Sequence, residues 1–283
     1  MSLAADHIMQ LLQQYHITFK KRIGKGTFAS ILLGYDEHAK KAIVVKQIDT
    51  SSSSRYIRHH LPLELEVVEK LRHPNIVRVS QIIREEGTVL LLQEYAQGGD
   101  LLKRIKRDKA LPETEAAHFF RQIIEALEYL ARSSVVHRDI KCENVFLDAC
   151  DNVKLGDFGF SRFLRGAEVS TTFCGSKSYI APEIMSHTAY TGTSVDIWSS
   201  GIVLFTMITG LFPFNDRDRG KMYSRMMERR ISWPRNHTAS DAVRSLIRSI
   251  LHPEPMKRAS YAQMKSSAWL AHTPYCMRTS AFV

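Results

Sequence analysis

The sequence lacks any apolar run approaching the roughly 20 residues that a membrane span needs. Its opening stretch, "HIMQLLQQYHITFK", is too polar for a secretory core, so neither anchoring nor export is expected. Cysteine is sparse, and Cys142, Cys150, Cys174 and Cys276 show no paired-knuckle spacing. That pattern argues against structural zinc and a disulfide framework, and a reducing, intracellular, cytoplasmic setting is expected. There is no internal repeat, and the only low-complexity patch is Ser51 to Ser54, read as a mobile connector. A continuous basic stripe with interleaved aromatics is also missing. The net charge of +10 is spread over short runs of mixed sign, such as "KRIKRDK" and "ERR". No nucleic-acid or membrane partner is therefore expected, and the basicity hints instead at phosphorylated or acidic partners.

What is present suits a large soluble core. The chain has 283 residues, 44% of them hydrophobic, near the size at which one domain divides into two lobes. The first ninety residues favour strands, in "FKKRIGKGTFASILLGYDE", "KKAIVVKQI" and "QIIREEGTVLLLQEYA". One helical pattern interrupts them, "LELEVVEKLRHPNIV", with Leu63, Val67, Val68 and Leu71 near helical spacing and an end before Pro74. After "AQGGD" the periodicity turns helical, in "DLLKRIKRD", "PETEAAHFFRQIIEALEYLARS", "GTSVDIWSSGIVLFTMITG" and "ASDAVRSLIRSIL". A strand-rich half followed by a helix-rich half indicates an α+β protein of two lobes joined near Glu94 to Gly99.

Several short motifs carry chemistry. "IGKGTFASI" places glycines between two expected strands, where a hairpin backbone approaches a ligand and amides meet phosphate oxygens, or where the glycines serve only the turn. Lys46 ends the apolar run "AIVVK" and needs a partner or a phosphate if buried; Glu64, on the helical stripe, is a candidate partner. "VVHRDIKCENVFL" sets His137, Arg138, Asp139, Lys141, Glu143 and Asn144 between two short strands, on a rigid base. Asp139 and Asn144 there, with Asp157 of "KLGDFGF", supply a base and two oxygen ligands suited to magnesium.

On these motifs the chain resembles the eukaryotic protein kinases over residues 19 to 272. The resemblance implies a bilobal fold: a small β-rich lobe with one main helix over 19–95, and a larger helical lobe over 96–272. An N-terminal segment (1–18) would precede them and a short tail (273–283) would follow. The roles that follow are those of the general phosphoryl-transfer template for the family. Ile23, Gly24, Lys25, Gly26, Ile31, Val44, Gln93, Glu94, Ala96 and Phe146 would surround ATP. Lys46 would hold its phosphates and pair with Glu64, while Asn144 and Asp157 would hold Mg2+. Asp139 would orient the substrate hydroxyl and Lys141 would neutralise the transferring phosphate. The activation segment would run from 157 to 183, with Thr172 phosphorylated against Arg138. Ser170 and Thr171 would be substitutes. Asp100 and Glu143 would receive basic substrate residues, with Arg three positions before the target. Phe173, Lys177 and Ile180 would shape the pocket for the residue after it, and Ser176 would sit in the docking loop. Glu183 would pair with Arg258, and Asp196 would brace the catalytic loop.

Within that superfamily, "YAQGGDLL", "HRDIKCEN", "DFGFSR" and "TFCGSKSYIAPEI" are most similar to the testis-specific serine/threonine kinases, near the calcium/calmodulin-dependent group. The resemblance implies serine/threonine substrates, an activating kinase, chaperone partners and male germ cells or sperm. With little sequence beyond "SSAWLAH", regulation is expected from the activation segment or from partners. The sequence departs from the pattern at Ala29 (the third glycine), expected to stiffen the phosphate loop, at Val44 and Phe146, expected to reshape the adenine slot, and at Gln93, polar at the gate of the back pocket; none removes a reacting or metal-binding group. The alternative is a nucleotide-binding pseudokinase scaffold, against which the complete Lys46, Glu64, Asp139, Asn144 and Asp157 set argues.

Overall fold

The computed structural model describes residues 3–26, 29–51, 54–164, 176–188, 190, 192–214, 218–235 and 238–279. The chain divides into two compact units, one made of 1–72 and 77–96, the other of 73–76 and 97–283.

The first unit is a sheet with helices. Its elements are α1 (Leu3–Gln14), β1 (Ile17–Lys25), β2 (Ala29–Asp36), β3 (Lys41–Asp49), α2 (Leu61–Lys70), β4 (Val79–Glu85) and β5 (Thr88–Glu94). The five strands are antiparallel in the order β1-β2-β3-β5-β4. Period-two alternation assigns each strand residue to a face. Ile17, Leu32, Ile43, Val45, Ile83, Leu90 and Leu92 form one buried cluster, and Ile8, Leu11 and Leu12 of α1 complete it. The N-terminal segment expected over 1–18 thus contains a helix that covers one face of the sheet. The expected run "QIIREEGTVLLLQEYA" resolves into β4 and β5, which reverse at Gly87 with φ of 74°, a left-handed conformation glycine adopts without a Cβ penalty. Helix α2 stops earlier than its apolar stripe suggests. Leu71 is already extended, with ψ of 129°, ahead of "RHPN", where Pro74 disfavours helical backbone in the residue before it.

The second unit is mainly helical. In order it contains β6 (Gly99–Asp100), α3 (Leu101–Asp108), α4 (Glu113–Arg132), β7 (Val135–Val136), β8 (Val145–Leu147), β9 (Val153–Leu155), β10 (Arg162–Phe163), α5 (Pro182–Met185), α6 (Gly192–Thr209), α7 (Arg219–Met227), α8 (Asp241–Ile250) and α9 (Tyr261–Lys265). Helix α6 is buried on nearly every side, and apolar residues dominate its second half, Gly201–Thr209. Gly201 lets α6 approach α8 closely: a Cβ there would stand 2.6 Å from Ile250 Cγ2. Two small antiparallel sheets, β6-β8-β9 and β10-β7, form the base on which the polar loop 137–144 sits. Among the described residues no helix is long and apolar enough to cross a membrane.

The stretch 273–278, read from sequence as a tail, is fastened to this unit by a buried amide network. Asn75 Nδ2 donates to Gln122 Oε1 (3.1 Å) and to the Val153 carbonyl (2.9 Å). Gln122 Nε2 donates to the Cys276 carbonyl (2.8 Å), Tyr275 Oη donates to Asn75 Oδ1 (2.9 Å), and the Arg278 N–H donates to Asn152 Oδ1 (2.7 Å). Asn75 and Gln122 are fully buried, so each needs these partners.

Because Leu12 is 1% exposed within the sheet cluster, Leu12→Ala should cost about 2–4 kcal/mol of stability through lost burial and a cavity. Denaturant unfolding measures it; a loss below about 0.5 kcal/mol, the range of ordinary surface changes, would show that α1 does not seal the sheet.

Candidate active site

In the first unit, antiparallel register puts chemistry on the sheet face away from α1. Gly24 lies opposite Ile31, Ile31 opposite Lys46, and Val44 opposite Gln93, so these residues share one face. The Gly26 N–H donates to the Ala29 carbonyl (2.7 Å), closing the glycine turn. Lys46 Nζ meets Glu64 Oε1 at 2.7 Å, with the two side chains 11% and 1% exposed. A charge pair this deep needs close geometry, which the contact provides.

The second unit holds the polar loop by its backbone. Asp196, on α6, is 3% exposed. Its Oδ2 accepts the His137 N–H and its Oδ1 the Arg138 N–H, both at 2.8 Å. Burial pushes the Asp196 carboxyl above its ordinary value, and His137 and these two N–H donors oppose the shift. Arg138 has φ of 66°, an unusual conformation for a non-glycine residue that these bonds hold in place. His137 Nδ1 accepts the Asp139 N–H at 3.3 Å, so the neutral ring carries its proton on Nε2, 3.1 Å from the Gly156 carbonyl.

Four donors converge on Asp139. Oδ2 accepts from Lys141 Nζ (2.7 Å) and Asn144 Nδ2 (3.1 Å). Oδ1 accepts from the Ser176 N–H (3.1 Å) and hydroxyl (3.0 Å), and Lys141 Nζ also reaches Ser176 Oγ at 3.1 Å. Asn144 Nδ2 also donates to the Asp139 carbonyl at 2.9 Å. The amide nitrogen is thereby committed to Asp139, which leaves the amide oxygen as the group suited to a hard cation. Asp157 is brought beside it: the Gly156 N–H donates to the Asn144 carbonyl (2.9 Å), and Asp157 follows with φ of 57° and an exposed side chain.

The remaining expected residues fall around this core. Glu183 and Arg258 form a buried bidentate pair with both contacts at 2.7 Å. The other Arg258 N–H groups reach the carbonyls of His252, Ser194 and Pro253. Tyr179 Oη donates to Glu143 (3.2 Å), and Glu143 is exposed. Asp100 caps α3, accepting the Lys103 N–H at 2.9 Å, and also pairs with Lys103 Nζ at 2.9 Å. Lys177 opens the short helical turn Lys177–Tyr179 and Ile180 follows it. Ile23 is exposed and Gly24, Glu94 and Ala96 half-buried in the first unit, while Phe146 is half-buried in the second. Thr172 and Phe173, with the alternatives Ser170 and Thr171, lie outside the described residues, as do Ser52 and Ser53 of the expected connector. Cys142, within the loop, is fully buried, and burial pushes its thiol up to about 12, so it carries no thiolate chemistry.

The protein kinase domain family profile matches residues 17–270. The chain belongs to the protein kinase family. It is 36% identical over 268 residues to testis-specific serine/threonine-protein kinase 2 of Mus musculus, covering 92% of this chain and 75% of that protein. It is 35% identical over 257 residues to testis-specific serine/threonine-protein kinase 3 of Homo sapiens, covering 89% and 95%. CBL-interacting protein kinase 24 of Oryza sativa subsp. japonica is 33% identical over 255 residues, 89% of this chain. The chain spans 56% of the length of that last relative. A protein kinase domain takes ATP as substrate with Mg2+ as the usual metal, and the Asn144 amide oxygen and the Asp157 carboxylate fit a cation that otherwise keeps waters and substrate phosphate.

Sequence reasoning missed Tyr56, whose hydroxyl reaches Glu64 Oε2 at 2.5 Å. Its eight-residue separation from Glu64 was a faint signal, obscured by Pro62 between them.

Asp196→Asn offers an amide N–H2 where two buried backbone N–H groups need acceptors. It should cost about 1–3 kcal/mol in denaturant unfolding and misplace Asp139; wild-type stability would show that the loop is held by other bonds.

Proposed function

We propose that this chain is an ATP-dependent protein serine/threonine kinase, transferring the γ-phosphate of ATP to a Ser or Thr hydroxyl. The observation that carries the reading is the Asp139 carboxylate, placed by Asn144 and Lys141 on a loop whose backbone Asp196 fixes. A substrate hydroxyl that takes the position of the Ser176 hydroxyl on Oδ1 would be oriented for attack, with Asp139 accepting its proton. Lys141, already 2.7 Å from Asp139, is placed to offset the charge of the transferring phosphate. Lys46, steadied by Glu64, would hold the nucleotide phosphates. Asn144 and Asp157 would hold Mg2+, which when bound neutralises phosphate charge. The backbone around Gly24 and Gly26 would cover the phosphates, and Ile23, Ile31, Val44, Gln93, Glu94, Ala96 and Phe146 would contact the rest of the nucleotide.

Substrate choice would rest on acids. Glu143 is exposed and suits a basic residue near the target, and Asp100 suits an Arg three positions before it. Because Asp100 also caps α3, its loss would remove a helix cap together with a substrate contact. Germ-cell or sperm function, suggested by the names of the two testis-specific relatives, belongs to the same proposal.

The reading is tested with radiolabelled ATP and a basic Ser/Thr peptide. Asp139→Asn should fold as wild type, and it and Lys46→Met should each lose at least about 100-fold in transfer rate, the scale of a lost general base or positioning group. Absence of transfer by the phosphorylated wild-type protein would leave a nucleotide-binding scaffold.

Regulation would follow from Arg138. It is 5% exposed, its Nε donates to the Phe160 carbonyl at 2.6 Å, and its Nη1 is buried with no hydrogen-bond partner among the described residues. A buried guanidinium nitrogen left in this way favours an incoming anion, and phosphothreonine at Thr172, set by an activating kinase, would supply it. Thr172→Ala should lower kcat about tenfold or more, a charge-assisted contact's worth, with an unchanged melting temperature. Full activity of the phosphatase-treated wild-type protein, checked by mass spectrometry, would show that no such switch operates.

A further inference from the structure

Glu64 is 1% exposed, and each of its carboxylate oxygens has its own donor. Oε1 accepts from Lys46 Nζ at 2.7 Å, and Oε2 accepts from the Tyr56 hydroxyl at 2.5 Å. The geometry explains why Tyr56 arrives there. The turn Tyr56–His60 is π-helical, and the Leu61 N–H closes it onto the Tyr56 carbonyl, five residues back. Pro62 stands at the start of α2. In an uninterrupted α-helix its ring would clash with the carbonyl four residues earlier, and a wider turn relieves that clash. The widened turn swings Tyr56 towards Glu64, and its ring lies stacked against His60, 6.4 Å between centroids at 15°.

A carboxylate held by one donor can rotate about its last side-chain bond, whereas two donors on opposite oxygens fix its plane. The orientation of Glu64 decides where Lys46 Nζ rests. We propose that Tyr56 is a positioning residue for phosphoryl transfer: its hydroxyl locks Glu64 so that Lys46 is presented to the nucleotide phosphates. The proposal rests on the kinase reading of Lys46 and Glu64 and adds to it a residue on the turn ahead of α2. It also gives the π-helical turn a task, since an unwidened helix would carry Tyr56 elsewhere.

Tyr56→Phe keeps the ring against His60 and removes one hydroxyl. The variant should lose about tenfold in kcat/KM for ATP, the scale of a hydrogen bond to a charged group, with the KM for peptide unchanged. Coupling is the deciding measurement, because Tyr56 acts through Glu64. In a Glu64→Gln background the same substitution should change kcat/KM for ATP less than about twofold, as expected when two residues share one interaction. A merely structural role would instead multiply through, with the same fold-loss in both backgrounds and a lowered melting temperature, and that result overturns the proposal. Wild-type kinetics of Tyr56→Phe beside inactive Lys46→Met and impaired Glu64→Gln would also overturn it, while leaving the kinase reading in place. Wild-type activity of Lys46→Met would overturn that reading itself, and the Tyr56 assignment with it.

Discussion

A buried carboxylate on α6 decides the shape of the candidate active site. Asp196 is removed from water, and its two oxygens are occupied by successive backbone N–H groups of the polar loop. Hydrogen bonds to backbone fix a chain path more firmly than contacts to mobile side chains, and here they hold Arg138 at a positive φ. With that residue turned, Asp139 faces Lys141, Asn144 and Ser176, and His137 faces the Gly156 carbonyl that precedes Asp157. The chemistry on one loop is therefore anchored by a helix some sixty residues later in the chain.

The same economy recurs in the rest of the second unit. Arg258 answers Glu183 with two bonds and spends its remaining donors on three carbonyls, so a fully desolvated charge pair carries no unmet hydrogen-bonding group on the arginine. The amides Asn75, Gln122 and Asn152 do for the stretch 273–278 what Asp196 does for the polar loop, converting an extended peptide into a fixed part of the unit. Arg138 differs from Arg258: its buried Nη1 has no hydrogen-bond partner among the described residues.

In the first unit the sheet separates tasks by face. The side toward α1 carries the buried apolar cluster, while the other carries Lys46 and the glycine turn. A one-residue slip of β3 would exchange Lys46 for Val45 and ruin both faces together, so the core and the lysine constrain the same register.

Sequence alone determined the strand-to-helix division of the chain, the two short strands around the polar loop, and the residue types needed for a base, a metal pair and a buried lysine. These are local: periodicity, turn chemistry and motif spacing are written in contiguous residues. The pairing of Glu183 with Arg258 and the bracing role of Asp196 were legible only through resemblance to a family, since nothing in the spacing of distant residues states which of them meet. Tertiary structure alone decided that α1 belongs to the sheet's core, that 273–278 is stitched onto an amide network, and that Tyr56 shares the Glu64 carboxylate. Each depends on the satisfaction of a buried group by a partner that chain order does not place beside it. A buried carboxylate must find donors, but which donors reach it is settled by how helices and strands pack.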